Sequence, residues 1–288
     1  MAHVAVVTGG ASGIGRAVSE GLVRRGSHVV IADINAQGAS EVATMLSSLG
    51  PGTASGVALD VRDADAVAAV YQQAQIEHGR LDAVFNNAGV AVGGEVEELT
   101  VAHWDRVIDV NLRGVVYGVA AAYPLMIKQG FGHIVNTASL AGLIPAPLLT
   151  PYSMTKHGVV GLSLALRAEA RPFGVKVTAV CPGFVDTPML DGLGPEDLPQ
   201  TSMARRAQEM QASAERQLGR PYPVDKLARD VLRGVDRNKA LIVTPLSARA
   251  LWRLHRLAPS LISTVGARGV ALIRKRMDSA TLQPRQPI

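Results

Sequence analysis

Cysteine is nearly absent: Cys181 is the only one in 288 residues, so an intrachain disulfide is excluded and a reducing compartment is expected. Its plain role is that of a small buried hydrophobe. Aromatics are scarce at 4%, while aliphatics, Ala and Gly are plentiful, a balance that suits a soluble α/β protein and not a fibrous or disordered chain. No uninterrupted apolar run is expected to reach the length of a membrane span; the best candidate in the tail, residues 257–273, is broken by Pro259 and Arg268. The chain starts directly into "HVAVVTGG", without the basic, apolar and cleavage segments of a signal peptide, so a cytoplasmic location is expected. The histidines at 3, 28, 78, 103, 133, 157 and 255 show no ligand spacing, and no metal is expected.

Acids are missing from one end. From residue 246 onward eight bases face a single acid, Asp278, a charge of +7; residues 1–245 then hold 21 bases and 23 acids, or −2. The excess of base lies in the tail, so nucleic-acid binding by the main body is not expected.

What is present is alternation. Apolar runs at 4–7, 28–33, 54–60, 81–89, 132–139, 175–183 and 240–244 are separated by helix-period segments at 13–25, 36–49, 64–78, 103–129, 152–171 and 224–236. Runs apolar on both faces suit buried parallel strands, and strict alternation implies βαβ units. The expected fold is α/β: a Rossmann-like, doubly wound parallel sheet in three α/β/α layers. It forms one domain over 1–245, with a basic amphipathic helical extension at 246–288. Residues 184–222 interrupt the pattern with a turn-rich stretch and a polar, Met-bearing helix, expected to be either a lid over the site or a surface insertion. In such sheets ligands bind beyond the carboxyl ends of the strands.

"VAVVTGGASGIGRA" places Gly9, Gly13 and Gly15 between the first strand and the first helix. Glycines there admit a pyrophosphate against the backbone, and the helix N-terminus favours its charge. Asp33 ends the second strand 18 residues after Gly15. A carboxylate at this position accepts the adenosine ribose hydroxyls and repels a 2′-phosphate, and neither Ile34 nor Asn35 supplies a base to hold that phosphate. The cofactor expected is NAD.

With "TGGASGIG" at 8–15, "NNAG" at 86–89, Asn111, Ser139, "YSMTK" at 152–156 and "PGFVDTP" at 182–188, the chain resembles the short-chain dehydrogenase/reductase family over about residues 3–245. The resemblance implies a catalytic tetrad of Asn111, Ser139, Tyr152 and Lys156, with Ser139 and Tyr152 also meeting substrate. It implies a cofactor site of Gly9, Ser12, Gly13, Ile14, Gly15, Asp33, Asp60, Val61, Asn87, Ala88, Gly89, Tyr152, Lys156, Pro182, Gly183, Val185 and Thr187. Asp60 and Val61 would flank the adenine, and Pro182 to Thr187 would hold the nicotinamide end. The family also implies a homodimer or homotetramer.

Hydride transfer from an alcohol needs a base for the hydroxyl proton. A free tyrosine titrates near 10, and bringing it to about 7–8 requires roughly 3–4 kcal/mol. Lys156, one turn along the same helix face, is expected to supply most of that as a nearby cation. The loop "LAGLIPAPLLTPY" (140–152) is almost wholly apolar, which suggests a hydrophobic secondary alcohol or ketone of steroid, terpenoid or long-chain type. A rival reading is a dinucleotide-sensing regulatory or scaffolding protein without turnover. In the tail, Leu246, Ala250, Leu251, Leu254, Leu257 and Leu261 fall at helical spacing among Arg249, Arg253 and Arg256. That pattern suits an apolar face docked on the body or on a second subunit, or peripheral contact with an anionic membrane.

Overall fold

The computed structural model describes residues 3–190, 192–195, 197–206 and 220–281. Seven strands form one sheet: β1 (Val4–Thr8), β2 (His28–Asp33), β3 (Thr53–Ala58), β4 (Ala83–Asn86), β5 (Gly132–Thr137), β6 (Val175–Pro182) and β7 (Leu241–Thr244). Their order is β3-β2-β1-β4-β5-β6-β7, and every neighbouring pair is parallel. All carboxyl ends therefore share one edge, and the chain switches direction between β1 and β4, where a doubly wound sheet opens a crevice.

The helices are α1 (Gly13–Val23), α2 (Ala36–Ser47), α3 (Ala64–His78), α4 (Val101–Ile108), α5 (Gly114–Gln129), α6 (Thr150–Ala170), α7 (Ser202–Arg205), α8 (Val224–Asp236), α9 (Leu246–Leu257) and α10 (Pro259–Thr281). One face of the sheet packs on Val18 and Val23 of α1, Val42 and Leu46 of α2, and Leu227 and Val231 of α8. The other packs on Val67 and Tyr71 of α3, Ala122 and Met126 of α5, and Leu166 and Ala170 of α6. Three layers result, as the alternation of strand and helix patterns predicts. All five residues of β1 and all six of β5 are buried, whereas β3 is an edge strand whose residues are exposed or half-exposed. Apolarity on both faces fails at this edge but holds at the other, where β7 is buried along most of its length.

Two helical readings change. The helix expected at 103–129 is two helices joined by a π-helical turn, Asp109–Arg113. The stretch Val101–Gln129 is long and apolar enough to cross a membrane by length and composition; Val107, Asn111, Ala122 and Met126 along it are buried within the protein, while Val101 and Val116 are exposed. The tail is also not one helix. Pro259 lacks an amide and forces the preceding residue out of the helical region, and Ala258 sits at φ −140°. Ala248 and Trp252 carry α9 onto the core beside Cys181 and Val243, while Leu246, Leu254, Leu257 and Leu261 stay exposed. The leucines that mark an apolar face in the sequence are thus not the ones that dock.

Candidate active site

The glycine turn is built from left-handed backbone and close approaches. Gly9 and Gly13 have φ of 63° and 49°, conformations that cost other residues strain. A Cβ on Gly15 would collide with the carbonyl of Gly9, and one on Gly9 would lie 2.9 Å from Cα of Ala88, so the turn packs directly onto the end of β4. Ser12 caps α1 without a side-chain bond to its amides, and the first turn carries no acid, which leaves an uncompensated helix N-terminus facing the crevice. Ile14 packs its side chain on the core and offers only its main chain. Asp33 accepts from the amides of Ala11 and Asn35, each at 3.0 Å, which fixes the carboxylate against the turn. The cradle fits a dinucleotide: glycine backbone for a pyrophosphate, and Asp33 for ribose hydroxyls.

The remaining cofactor residues divide by side chain and main chain. Asp60 accepts three nitrogens of Arg62, its guanidinium at 2.6 Å and its amide at 3.0 Å among them, and this pairing holds its carboxyl below the usual range. Val61 is buried against Gly114, so only its main chain can face an adenine. Asn87 ties three strand ends together: its Nδ2 donates to the carbonyl of Thr8 at 3.1 Å, and its Oδ1 accepts from Thr137 at 3.2 Å. The hydroxyl of Thr8, a residue the sequence reading did not assign to the site, accepts from the amides of Asn87 and Ala88 at 3.0 and 3.1 Å. Its place at the strand end directly before the glycines was the available signal. Gly183 donates to Thr244 at 2.8 Å and, with Pro182 at the end of β6, sits where a Cβ would press on Ala248. Val185 is buried in the core, and Thr187 comes back to Gly13, whose added Cβ would lie 3.5 Å from it.

Asn111, Ser139, Tyr152 and Lys156 belong to three segments packed around the ends of β4, β5 and β6. The π turn carries Asn111, fully buried; single π turns within helices are frequent at functional sites. Its side chain accepts from the amide of Val90 at 2.8 Å and donates to the carbonyl of Val90 at 2.9 Å. A Cβ on Gly89 would lie 3.2 Å from Oδ1 of Asn111 and 3.6 Å from Nζ of Lys156, so this glycine lets both approach β4. Ser139 accepts from the amide of Ala141 at 3.1 Å, capping a short turn, and its hydroxyl draws the neighbouring Tyr152 downward. Ser153 donates to the carbonyl of Ala141 at 2.7 Å, and a Cβ on Gly142 would strike the main chain of Lys156. The turn after β5 is thereby seated on the first turns of α6.

The electrostatics differ from the sequence expectation. Burial raises the Tyr152 hydroxyl above its ordinary value, and the neighbouring Ser139 hydroxyl lowers it only in part. Lys156 does not offset this: burial brings its ammonium down to about 8. Its Nζ lies 5.5 Å from the centre of the tyrosine ring and donates to the carbonyl of Thr137 at 2.8 Å. Cys181, beside them, is pushed up to about 12 by burial and stays a neutral thiol.

A cap closes over these groups, with residues 93–98 at its centre. The amide of Gly93 donates to Leu193 at 2.8 Å, and that of Gly94 to Leu148 at 2.9 Å. Thr201 donates to the carbonyl of Gly93 at 2.5 Å, and Ser202 to Glu98 at 2.9 Å. Leu148, in the apolar loop, is held at φ 65°, a strained conformation for leucine that the surrounding contacts must maintain. Arg274 of α10 reaches Glu95 at 2.6 and 2.7 Å, and Gly266 lies against Pro147. The described part of the segment expected as a lid is thus bonded to the loop after β4; residues 207–219, most of its expected helix, lie outside the described residues.

A sequence model of the short chain dehydrogenases matches residues 3–197. A cis-4-hydroxycyclohexanecarboxylate dehydrogenase of Sinomonas cyclohexanicum is 42% identical over 205 residues, 71% of this chain and 81% of that protein. A short-chain dehydrogenase/reductase of Burkholderia phymatum in complex with NAD superposes with a TM-score of 0.81 at 31% identity, covering 90% of this chain and 95% of the other. A short-chain dehydrogenase of Sphingobium yanoikuyae in complex with NADPH has a TM-score of 0.72 at 25% identity, covering 99% of this chain and 98% of the other. Such matches, over a crevice built for a dinucleotide, have one reading: this chain belongs to the short-chain dehydrogenase family and is a nucleotide-binding oxidoreductase.

Proposed function

We propose that the protein uses NAD to interconvert a hydrophobic secondary alcohol and its ketone, with Tyr152 as the acid–base group. The observation that carries this reading is the placement of Lys156, buried one turn along α6 with its Nζ 5.5 Å from the ring centre of Tyr152, beside the turn after β5 that carries Ser139. When bound, the nicotinamide supplies the hydride acceptor or donor. Ser139 orients the substrate oxygen towards Tyr152, whose hydroxyl takes up or releases the proton. Lys156 holds a positive charge behind the tyrosine. Asn111, whose side chain is bonded to Val90, helps hold a water that carries protons onward from Lys156.

Two features support NAD over NADP: Asp33 is braced against the glycine turn, and no base follows it in sequence. Pro145, Pro147, Leu148 and Leu149 support an apolar substrate, and the relative named for a hydroxylated cyclohexane acid extends the panel to saturated-ring alcohols. A homodimer or homotetramer in the cytoplasm completes the reading; light scattering would report the assembly.

A second reading, a dinucleotide sensor without turnover, draws on the raised rather than lowered Tyr152. The two separate by NADH absorbance on a panel of cyclic, terpenoid and long-chain secondary alcohols with NAD and NADP, comparing wild type with Tyr152→Phe. Activity lost only in the variant upholds the acid–base role, and equal activity in both removes it. Nucleotide binding by both proteins, with turnover by neither, upholds the sensor.

A further inference from the structure

We propose that the outer face of α9 and α10 docks on an anionic lipid bilayer. Three observations carry the proposal. First, the two helices leave large apolar side chains in water: Leu257 is 85% exposed and Leu261 50%, and Leu254, Val265 and Leu272 are also exposed. Scattered exposed leucines are ordinary, but a continuous line of them is not. Along α10, Leu261, Val265, Arg268, Leu272 and Lys275 follow at intervals of four, three, four and three residues, which places them on one helix face.

Second, the charge is of one sign. No Asp or Glu occurs between Asp236 and Asp278, while Arg253, Arg256, Arg268 and Lys275 fall in that span; Arg249 and Arg274, also within it, turn to the body, on Val243 and Glu95. If a second copy covered the face, every charged pair across the twofold contact would be base against base. A nucleic acid would satisfy the bases and leave the leucines in water. An anionic bilayer takes both, the apolar side chains entering between headgroups that neutralise the arginines. Trp252, stacked under Arg256 with the guanidinium 5.7 Å from its ring, packs on the core side of α9 and holds that arginine beside the face.

Third, the opposite side of α10 is the one that meets the body. Gly266 lies on Pro147 and Arg274 pairs with Glu95, and a cleft of about 350 Å³ runs between Pro145, Pro147 and Ala267, Val270 of the helix. No residue of α10 from 259 to 275 is buried, so the helix lies across the surface and joins no core. The face offered to the bilayer therefore backs directly onto the apolar loop that leads to Tyr152. This corollary, that substrate enters from lipid, rests on the proposed function; the docking itself does not.

The test is flotation of the full-length protein with vesicles of phosphatidylcholine alone and of phosphatidylcholine mixed with phosphatidylglycerol. The comparison is a variant carrying Leu261→Glu, Val265→Glu and Leu272→Glu, shown by melting and NADH binding to be folded. The expected result is recovery with the anionic vesicles only, falling about tenfold or more in high salt and lost in the variant. Wild type that fails to float with anionic vesicles, or a variant that floats equally well, overturns the proposal. A wild type that does not float but forms a larger assembly than the variant by light scattering overturns it in favour of a second copy on this face. Because none of these readouts involves turnover, failure here is distinguishable from failure of the dehydrogenase reading.

Discussion

Asn111 closes a two-way hydrogen bond with a single residue, accepting from the amide of Val90 and donating to its carbonyl at 2.8 and 2.9 Å. The bond joins the π turn to the loop that leaves β4, and so fixes the distance between the helical segments that carry Asn111 and Lys156 and the strand ends beside the glycine turn. Asn111→Ala would leave both backbone groups buried without partners. Unmet buried groups cost about 1–3 kcal/mol each, so a loss of that order is expected in urea unfolding, with a fall in kcat. Asn111→Asp should be no better, because a carboxylate cannot donate to the Val90 carbonyl. Stability equal to wild type in either variant would remove this bracing role.

Lys156 is expected to cost stability at neutral pH. Burial lowers its folded pKa to about 8 from the 10.5 of the free side chain. Between those values the unfolded chain binds more protons than the folded one, so stability should rise with pH from about 8 to 10.5. Below about 8 the cost is fully present. The shift corresponds to about 3 kcal/mol at ~1.36 per unit, part of which the bond to Thr137 returns. Lys156→Met, unfolded in urea without nucleotide across this range, should lose the alkaline rise and be at least as stable at pH 7, while losing turnover. A variant that keeps the rise would place its cause elsewhere.

The pH profile of alcohol oxidation should show the same site from the other side. Only the ionised Tyr152 accepts a proton, so kcat/KM is expected to climb with pH and level off above the tyrosine's pKa. The neighbouring Ser139 hydroxyl lowers this pKa, against burial that raises it. Ser139→Ala should therefore move the rising limb to higher pH, in addition to reducing kcat by about tenfold to a hundredfold. A limb that stays in place would mean that the titrating group is not Tyr152.

Asp33 makes a prediction about the cofactor alone. Its oxygens are fixed by Ala11 and Asn35, so the carboxylate cannot swing away from a 2′-phosphate. Wild type should prefer NAD to NADP by about tenfold or more in kcat/KM, and Asp33→Ser should narrow that ratio mainly by weakening NAD. Equal use of both nucleotides by the wild type would contradict the assignment.

Much of this architecture can be read from residue order, for identifiable reasons. β1 and β5 are buried on both sides, and a fully buried strand has little choice but a continuous apolar run. The glycine turn is legible because only glycine tolerates the approaches at 9 and 15. The parts that stay hidden depend on distant partners or on irregular backbone. Thr8 meets Asn87 across 79 residues, and Tyr71, Asn86, Asn136 and Ser163 form a buried polar chain across four elements. No local pattern signals either. The π turn at Asn111 inserts one residue into a helix whose 3.6-residue period reads as continuous. In the tail, leucine spacing suggests a docking face, but the break at Pro259 and the burial of Ala248 turn those leucines outward.

The ion pair between Arg274 and Glu95 ties the C-terminal helix to the loop at the centre of the cap. It holds the Glu95 carboxyl below its ordinary range, yet Arg274 is largely exposed, and pairs of that kind are worth only about 0–1 kcal/mol. The helix has no buried residue from 259 to 275 to add to this, so the clasp should open readily. Glu95→Gln removes the charge and keeps the shape. We expect it to leave the melting temperature nearly unchanged, because the sheet and its core do not depend on α10. On the proposed reading bulky alcohols reach Tyr152 beneath Pro147 and the helix, so the effect should fall on their KM and much less on KM for cyclohexanol. Added salt should shift wild type towards the variant and leave the variant itself little changed. Arg274→Gln should reproduce the effect, and the double variant should add nothing to either single one, the mark of a shared interaction. Additive losses, or equal changes for large and small alcohols, would show that the pair does not govern access to Tyr152.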